Sequence, residues 1–150
     1  MADFTAVTII NAPPSTVRNV FLDFGKYSEW AKFITEIRLS DDKAGPVPGS
    51  TLKVTLSFDE SSSQKMTPTI NENSEDAFIW TGTLGTKHIF AGTHKFQFKP
   101  SADGQKTELI QSEAFSGFLR SPLLWFVGDK TQKGFETFNI ALKNRVESLL

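Results

Sequence analysis

From Pro122 to Leu150 the positions Leu124, Val127, Thr131, Phe135, Phe138, Leu142 and Val146 recur at spacings of three and four. That spacing gathers them on one stripe of a helix, about 40 Å long at 1.5 Å per residue. Lys130, Lys133, Glu136, Lys143 and Glu147 fall mostly off the stripe and give the helix a wet side. Upstream the period changes from three and four to two. Leu52, Val54, Leu56 and Phe58 alternate with Thr51, Lys53, Thr55 and Ser57, the pattern of a half-buried strand. Between Ile89 and Lys99 one face carries Phe90, Gly92, His94, Phe96 and Phe98, with His88 in phase, and the other Thr93, Lys95, Gln97 and Lys99. The first face points inward.

Further strands are predicted at Phe4 to Ile10, Thr35 to Leu39, Gln64 to Asn71, Ala77 to Thr83 and Thr107 to Gly117. Pro68 puts the third of these runs at an edge or a bulge. In the last strand Thr107, Leu109, Gln111, Glu113 and Phe115 share the larger face, which is read as the inner one. Two short helices follow the first strand. One opens at Pro14 with Val17, Val20, Phe21 and Phe24 in helical phase and stops at Gly25; the other runs from Lys26 to about Phe33. The order predicts one α+β domain over residues 1–150: a curved antiparallel sheet of about seven strands wrapped on a long C-terminal helix.

Composition changes this picture in one respect. The chain has 14 Phe among 150 residues, which is either a phenylalanine-rich core or the wall of a large apolar cavity. Trp30, Phe33, Phe58, Trp80, Phe90, Phe96, Phe115, Phe135 and Phe138 are the residues that inward parity and the helix stripe bring to such a wall. Charge narrows the partners: 16 Lys+Arg against 17 Asp+Glu, with no block of either sign, gives no basis for capturing nucleic acid or an anionic membrane. No apolar run in the N-terminal segment suits a signal peptide or a transmembrane helix, so a cytoplasmic protein without membrane insertion, monomer or homodimer, is expected. The absence of Cys excludes disulfides and thiolate chemistry. Two His without ligand spacing predict no metal, and with no phosphate loop or dinucleotide fingerprint no cofactor is expected.

The best candidates for chemistry are His94 and Glu113. If the last two strands form a hairpin about Asp103-Gly104, His94 lies across from Gln111 or Glu113 on the inner face. A carboxylate beside an imidazole in an apolar space would raise the histidine pKa and make the pair an acid and a base near neutrality. The competing reading is a buried polar pair that satisfies itself and fixes register. His88, at the strand's start beside Lys87, reads as a rim residue. Asn139 lies beside the helix stripe and either reaches the interior or is a surface amide.

Strand, two short helices, a run of strands and one long helix, together with Ile10-Asn11-Ala12-Pro13-Pro14-Ser15-Thr16-Val17, Asp23-Phe24 and Tyr27-Ser28-Glu29-Trp30, resemble the helix-grip fold of the START-like, or SRPBCC, superfamily. Gln111-Ser112-Glu113-Ala114-Phe115-Ser116-Gly117, Gly134-Phe135-Glu136 and Asn139-Ile140-Ala141-Leu142-Lys143 place the likeness in its polyketide cyclase/dehydrase and CoxG-like branch. The resemblance covers nearly the whole chain and implies a hydrophobic cavity between sheet and helix. It leaves three functions open, because the fold hosts several. One is cofactor-free cyclisation, dehydration or isomerisation of an aromatic or polyketide-like molecule, with His94 and Glu113 catalytic and Gln111 and Asn139 among the ligand contacts. The second is carriage of a hydrophobic small molecule. The third is a protein-interaction module, which an exposed apolar patch would favour.

Overall fold

The computed structural model describes residues 2–150. Strand β1 (Phe4–Ile10) leads into α1 (Pro14–Leu22), whose extended Pro13 and first-turn Pro14 set the start. Helix α1 buries Val17 and Phe21, and a 3₁₀ helix (Phe24–Glu29) follows that buries Tyr27. Strands β2 (Ile34–Leu39), β3 (Leu52–Ser57), β4 (Ser63–Met66), β5 (Thr69–Asn73), β6 (Ala77–Leu84), β7 (Phe90–Pro100) and β8 (Thr107–Ser116) precede α2 (Arg120–Ser148).

All pairings are antiparallel, in a five-stranded sheet of order β1-β8-β7-β6-β5 and a three-stranded sheet of order β2-β3-β4. The single strand predicted over Gln64 to Asn71 is two strands in two sheets. Pro68 has no N–H for a ladder, and the chain changes sheet there. The sheets remain joined at this corner. Leu52 N–H donates to the Pro68 carbonyl at 2.9 Å, Ile70 N–H to the Ser50 carbonyl at 2.8 Å, and Thr51 bridges Thr69. The predicted second helix reaches only Glu29. Phe33 beyond it takes a left-handed φ of 69°, which no helix accommodates.

Helix α2 packs on β1 and β8 of the larger sheet, burying Thr131, Phe135, Phe138, Leu142 and Val146 as the stripe requires. Val127, assigned to the stripe, is 38 % exposed, because the first turns of α2 run past the sheet. The edge strand β1 is covered by α2. Gln132, Asn139 and Lys143 donate side-chain hydrogen bonds to the carbonyls of Thr5 (2.9 Å), Ala6 (3.1 Å) and Ile9 (2.9 Å). Side chains of α2 thereby cap carbonyls of the sheet's edge strand.

Candidate functional site

The β7–β8 hairpin sets His94 directly opposite Glu113 and Phe96 opposite Gln111. Since successive side chains alternate faces, all four enter the space under α2. His94 is 3 % exposed and Gln111 and Asn139 are fully buried. Their polar atoms form one chain of hydrogen bonds whose direction is set by two backbone carbonyls. Asn139 donates Nδ2 to the Ala6 carbonyl, so its Oδ1 must accept, and Gln111 Nε2 donates to it at 2.8 Å. Gln111 Nε2 also donates to the Phe135 carbonyl at 3.2 Å, which leaves Oε1 to accept from His94 Nε2 at 2.9 Å. Nε2 therefore carries the proton, and Nδ1 is the acceptor. Glu113 Oε2 lies 3.4 Å from Nδ1.

Electrostatics favour that neutral arrangement. Burial, reinforced by the nearby Asp3 carboxylate, pushes Glu113 up to about 8. Burial pulls His94 down to about 4, only partly offset by its bond to Gln111. The expectation that the carboxylate would raise the histidine is thus reversed. A protonated carboxyl exerts little pull on an imidazolium, and desolvation wins. Asp3 is the charged neighbour. Burial works against its ionisation, but the Phe115 N–H at 2.8 Å and the Arg120 guanidinium outweigh that and hold its pKa low.

Aromatic rings enclose the pair. His94 stacks on Phe96 with centroids 4.5 Å apart, tilts against Phe135 at 4.7 Å and meets Trp80 at 5.0 Å. Phe90 covers Phe115 at 5.0 Å, and Trp30 touches Phe138 at 5.7 Å. Phe33 contacts Phe135 at 6.0 Å and Phe58 at 5.6 Å; of the nine residues expected to form the wall, Trp80, Phe96 and Phe135 lie against His94, and Trp30 borders the outer grooves. The interior expected to be hollow is occupied by these rings, with Trp80, Phe96, Phe135 and Phe138 almost fully buried. Open grooves of about 470 Å³ and about 210 Å³ lie outside it, where Trp30 meets Arg145 of α2. His88 is exposed.

Two glycines shape the site. A Cβ on Gly134 would stand 2.3 Å from the ring of Phe33, so this helix position exists to receive that ring. A Cβ on Gly92 would fall 2.7 Å from Glu113 Oε1 and 2.9 Å from the Phe115 ring. Gly92 is the site residue that sequence reasoning missed. Its place on the inner face one step along the strand period from His94 was the available signal. The Trp80 indole N–H is buried without a hydrogen-bond partner.

Known structures repeat this architecture. The protein TTHA0849 from Thermus thermophilus superposes with a TM-score of 0.73 at 14% identity, covering 97% of each chain. The Zhui aromatase/cyclase from Streptomyces sp. R1128 does so at 0.68 and 10% identity, covering 95% of this chain and 92% of its own. A START superfamily protein from Mycobacterium smegmatis gives 0.68 at 16% identity and 97% of each chain. These identities speak for the fold alone. No curated protein matches the chain by sequence. The family described as polyketide cyclase / dehydrase and lipid transport, however, matches residues 1–147, and the chain belongs to that family.

Proposed function

We propose that the protein takes a small hydrophobic, aromatic or polyketide-like molecule between the sheet and α2 and catalyses a cofactor-free proton-transfer reaction on it, with Glu113 as the catalytic group. The observation that carries this reading is the Glu113 carboxyl 3.4 Å from a buried imidazole whose tautomer is fixed, where burial pushes the carboxyl up to about 8. A carboxylic acid with a pKa near the working pH both gives and takes protons readily. In a dehydration, the Glu113 carboxyl gives its proton to a departing hydroxyl, which leaves as water. The carboxylate so formed takes the proton from the adjacent carbon, the C=C bond forms and the acid is restored. His94 is a positioning residue: Gln111 holds its Nε2, and its Nδ1 stands 3.4 Å from the Glu113 carboxyl.

Access runs through Phe33. Its left-handed backbone costs on the order of 1–3 kcal/mol, strain of the kind held at sites that move. Displacing its ring from Gly134 vacates the space next to Phe135 and Phe58. The unpartnered Trp80 N–H supports a ligand with an acceptor oxygen. A carrier function uses the same wall, and it is favoured by the complete pairing of Gln111 and Asn139, which leaves those amides to hold α2 rather than a substrate.

Glu113→Gln and His94→Gln separate the two readings once a ligand has been found by native mass spectrometry. Binding within about tenfold, or 1.4 kcal/mol, together with turnover lowered about a hundredfold or more, is the catalytic outcome. The double variant should be little worse than either single one, since the two groups act as a unit. Binding and activity lost in proportion assign the pair to a carrier. If neither variant changes either quantity, the site is not here.

A further inference from the structure

Toward its N-terminus α2 carries large apolar side chains that face water. Trp125 is 84 % exposed and Phe126 76 %, their rings meeting edge-on at 5.3 Å. The β8–α2 connection adds Phe118 at 72 %, and the end of β6 adds Leu84 at 54 %. One end of the molecule collects them. Phe118 and Leu119 donate backbone hydrogen bonds to the carbonyls of His88 and Ile89, both at 3.1 Å, and Leu84 pairs with Phe90 across β6 and β7. A single exposed apolar residue needs no account, but four large ones at one end do.

Charge identifies the occupant. Along residues 84–89 and 117–133 the charged side chains are Lys87, Arg120, Lys130 and Lys133 against Asp129 alone, in a chain whose net charge is −1. Arg120 is taken up by Asp3, which leaves three lysines beside the aromatic residues, Lys130 one helical turn on from Phe126. We propose that this end of the molecule docks peripherally on a membrane surface bearing anionic lipid, with Trp125, Phe126, Phe118 and Leu84 entering the interface and Lys87, Lys130 and Lys133 facing the headgroups. Aromatic side chains flanked by lysine suit the boundary between headgroups and acyl chains. A second copy of the chain fits less well, because a two-fold contact would set the same lysines against one another. Charge counted along the whole chain balances, but in these two segments three lysines stand against one aspartate once Arg120 is paired. Docking does not require spanning: among the described residues no helix is long and apolar enough to cross a membrane. Nor does it depend on the interior binding a ligand.

The test is flotation of the purified full chain with vesicles of phosphatidylcholine alone or with about 30 % phosphatidylserine, at about 0.1 M salt, where surface attraction is still felt. Partition onto the anionic vesicles should be at least about tenfold stronger, since each lysine near the surface contributes several-fold. Tryptophan emission should shift to the blue, chiefly through Trp125, as Trp80 is already buried. Trp125→Ala with Phe126→Ala should weaken partition about tenfold or more with melting unchanged, and Lys130→Glu with Lys133→Glu should reduce it to the level of neutral vesicles. Absence of binding to anionic vesicles, or unchanged binding by the aromatic double variant, overturns the proposal. So does a dimer in sedimentation equilibrium that the same variant dissolves, which would give the patch to a second copy.

Discussion

At the scale of single residues, the site is decided by what is missing at Gly92 and Gly134 as much as by His94 and Glu113. Gly134 sits beside Phe135 within α2, where glycine costs about 1 kcal/mol relative to alanine, and the Phe33 ring in the vacated space is the return. Gly134→Ala places a Cβ 2.3 Å from that ring. It should lower stability by about 1–3 kcal/mol in chemical denaturation, the usual cost of overpacking. With Phe33→Ala in the same chain the added cost of Gly134→Ala should largely vanish, because the two residues share one space. Additive losses would show that the Phe33 ring does not occupy the space above Gly134. His94 and Glu113 were legible as neighbours because strand parity and one hairpin turn fix who faces whom. Their protonation was not, since it depends on the depth of burial and on Asp3, which is 110 residues from Glu113 in sequence but close in space.

At the scale of elements, the pattern was readable wherever one face of an element is wet and the other dry. The strands Leu52–Ser57, Phe90–Pro100 and Thr107–Ser116 lie where the alternation puts them, and α2 begins within two residues of its predicted start. What misled was continuity. A run of strand-like residues around Pro68 contains a change of sheet, and the short helix before Phe33 stops early because the chain must turn Phe33 toward Gly134. The antiparallel sheet expected with about seven strands accordingly has eight, divided between two joined sheets. The helix stripe also said nothing about where the sheet beneath it ends. Burial of α2 is continuous only from Thr131 onward. Amides of residues 124–129 should consequently exchange with deuterium about a hundredfold faster than those of 134–146, whose opening requires loss of the core. Equal protection along the helix, measured on the isolated protein, would mean that its first turns are covered in solution.

For the molecule as a whole, the buried pair imposes a pH dependence whose sign follows from the two displaced pKa values. Glu113, raised to about 8 from 4.5, binds its proton more tightly folded than unfolded, so stability is lost as pH rises from about 4.5 to about 8. His94, lowered to about 4 from 6.5, does the reverse: the unfolded chain binds the proton more tightly, and stability is regained as pH rises from about 4 to about 6.5. Between about 4.5 and 6.5 the two slopes oppose each other and cancel. Above 6.5 only the Glu113 slope remains, about 1.4 kcal/mol per pH unit, or about 2 kcal/mol by pH 8. Melting temperature should fall by about 5 °C over that interval, given 2–4 °C per kcal/mol in a chain of this size. Glu113→Gln cannot lose a proton there and should melt at a constant temperature from pH 6.5 to 8. The same variant should expose the His94 slope at lower pH, gaining stability between about 4 and 6.5 where the unsubstituted protein is level. A melting temperature that does not fall above pH 6.5, or falls equally in Glu113→Gln, would mean that Glu113 is ionised in the folded state and that the chain from Glu113 to the Ala6 carbonyl begins with an ion pair instead of a shared proton.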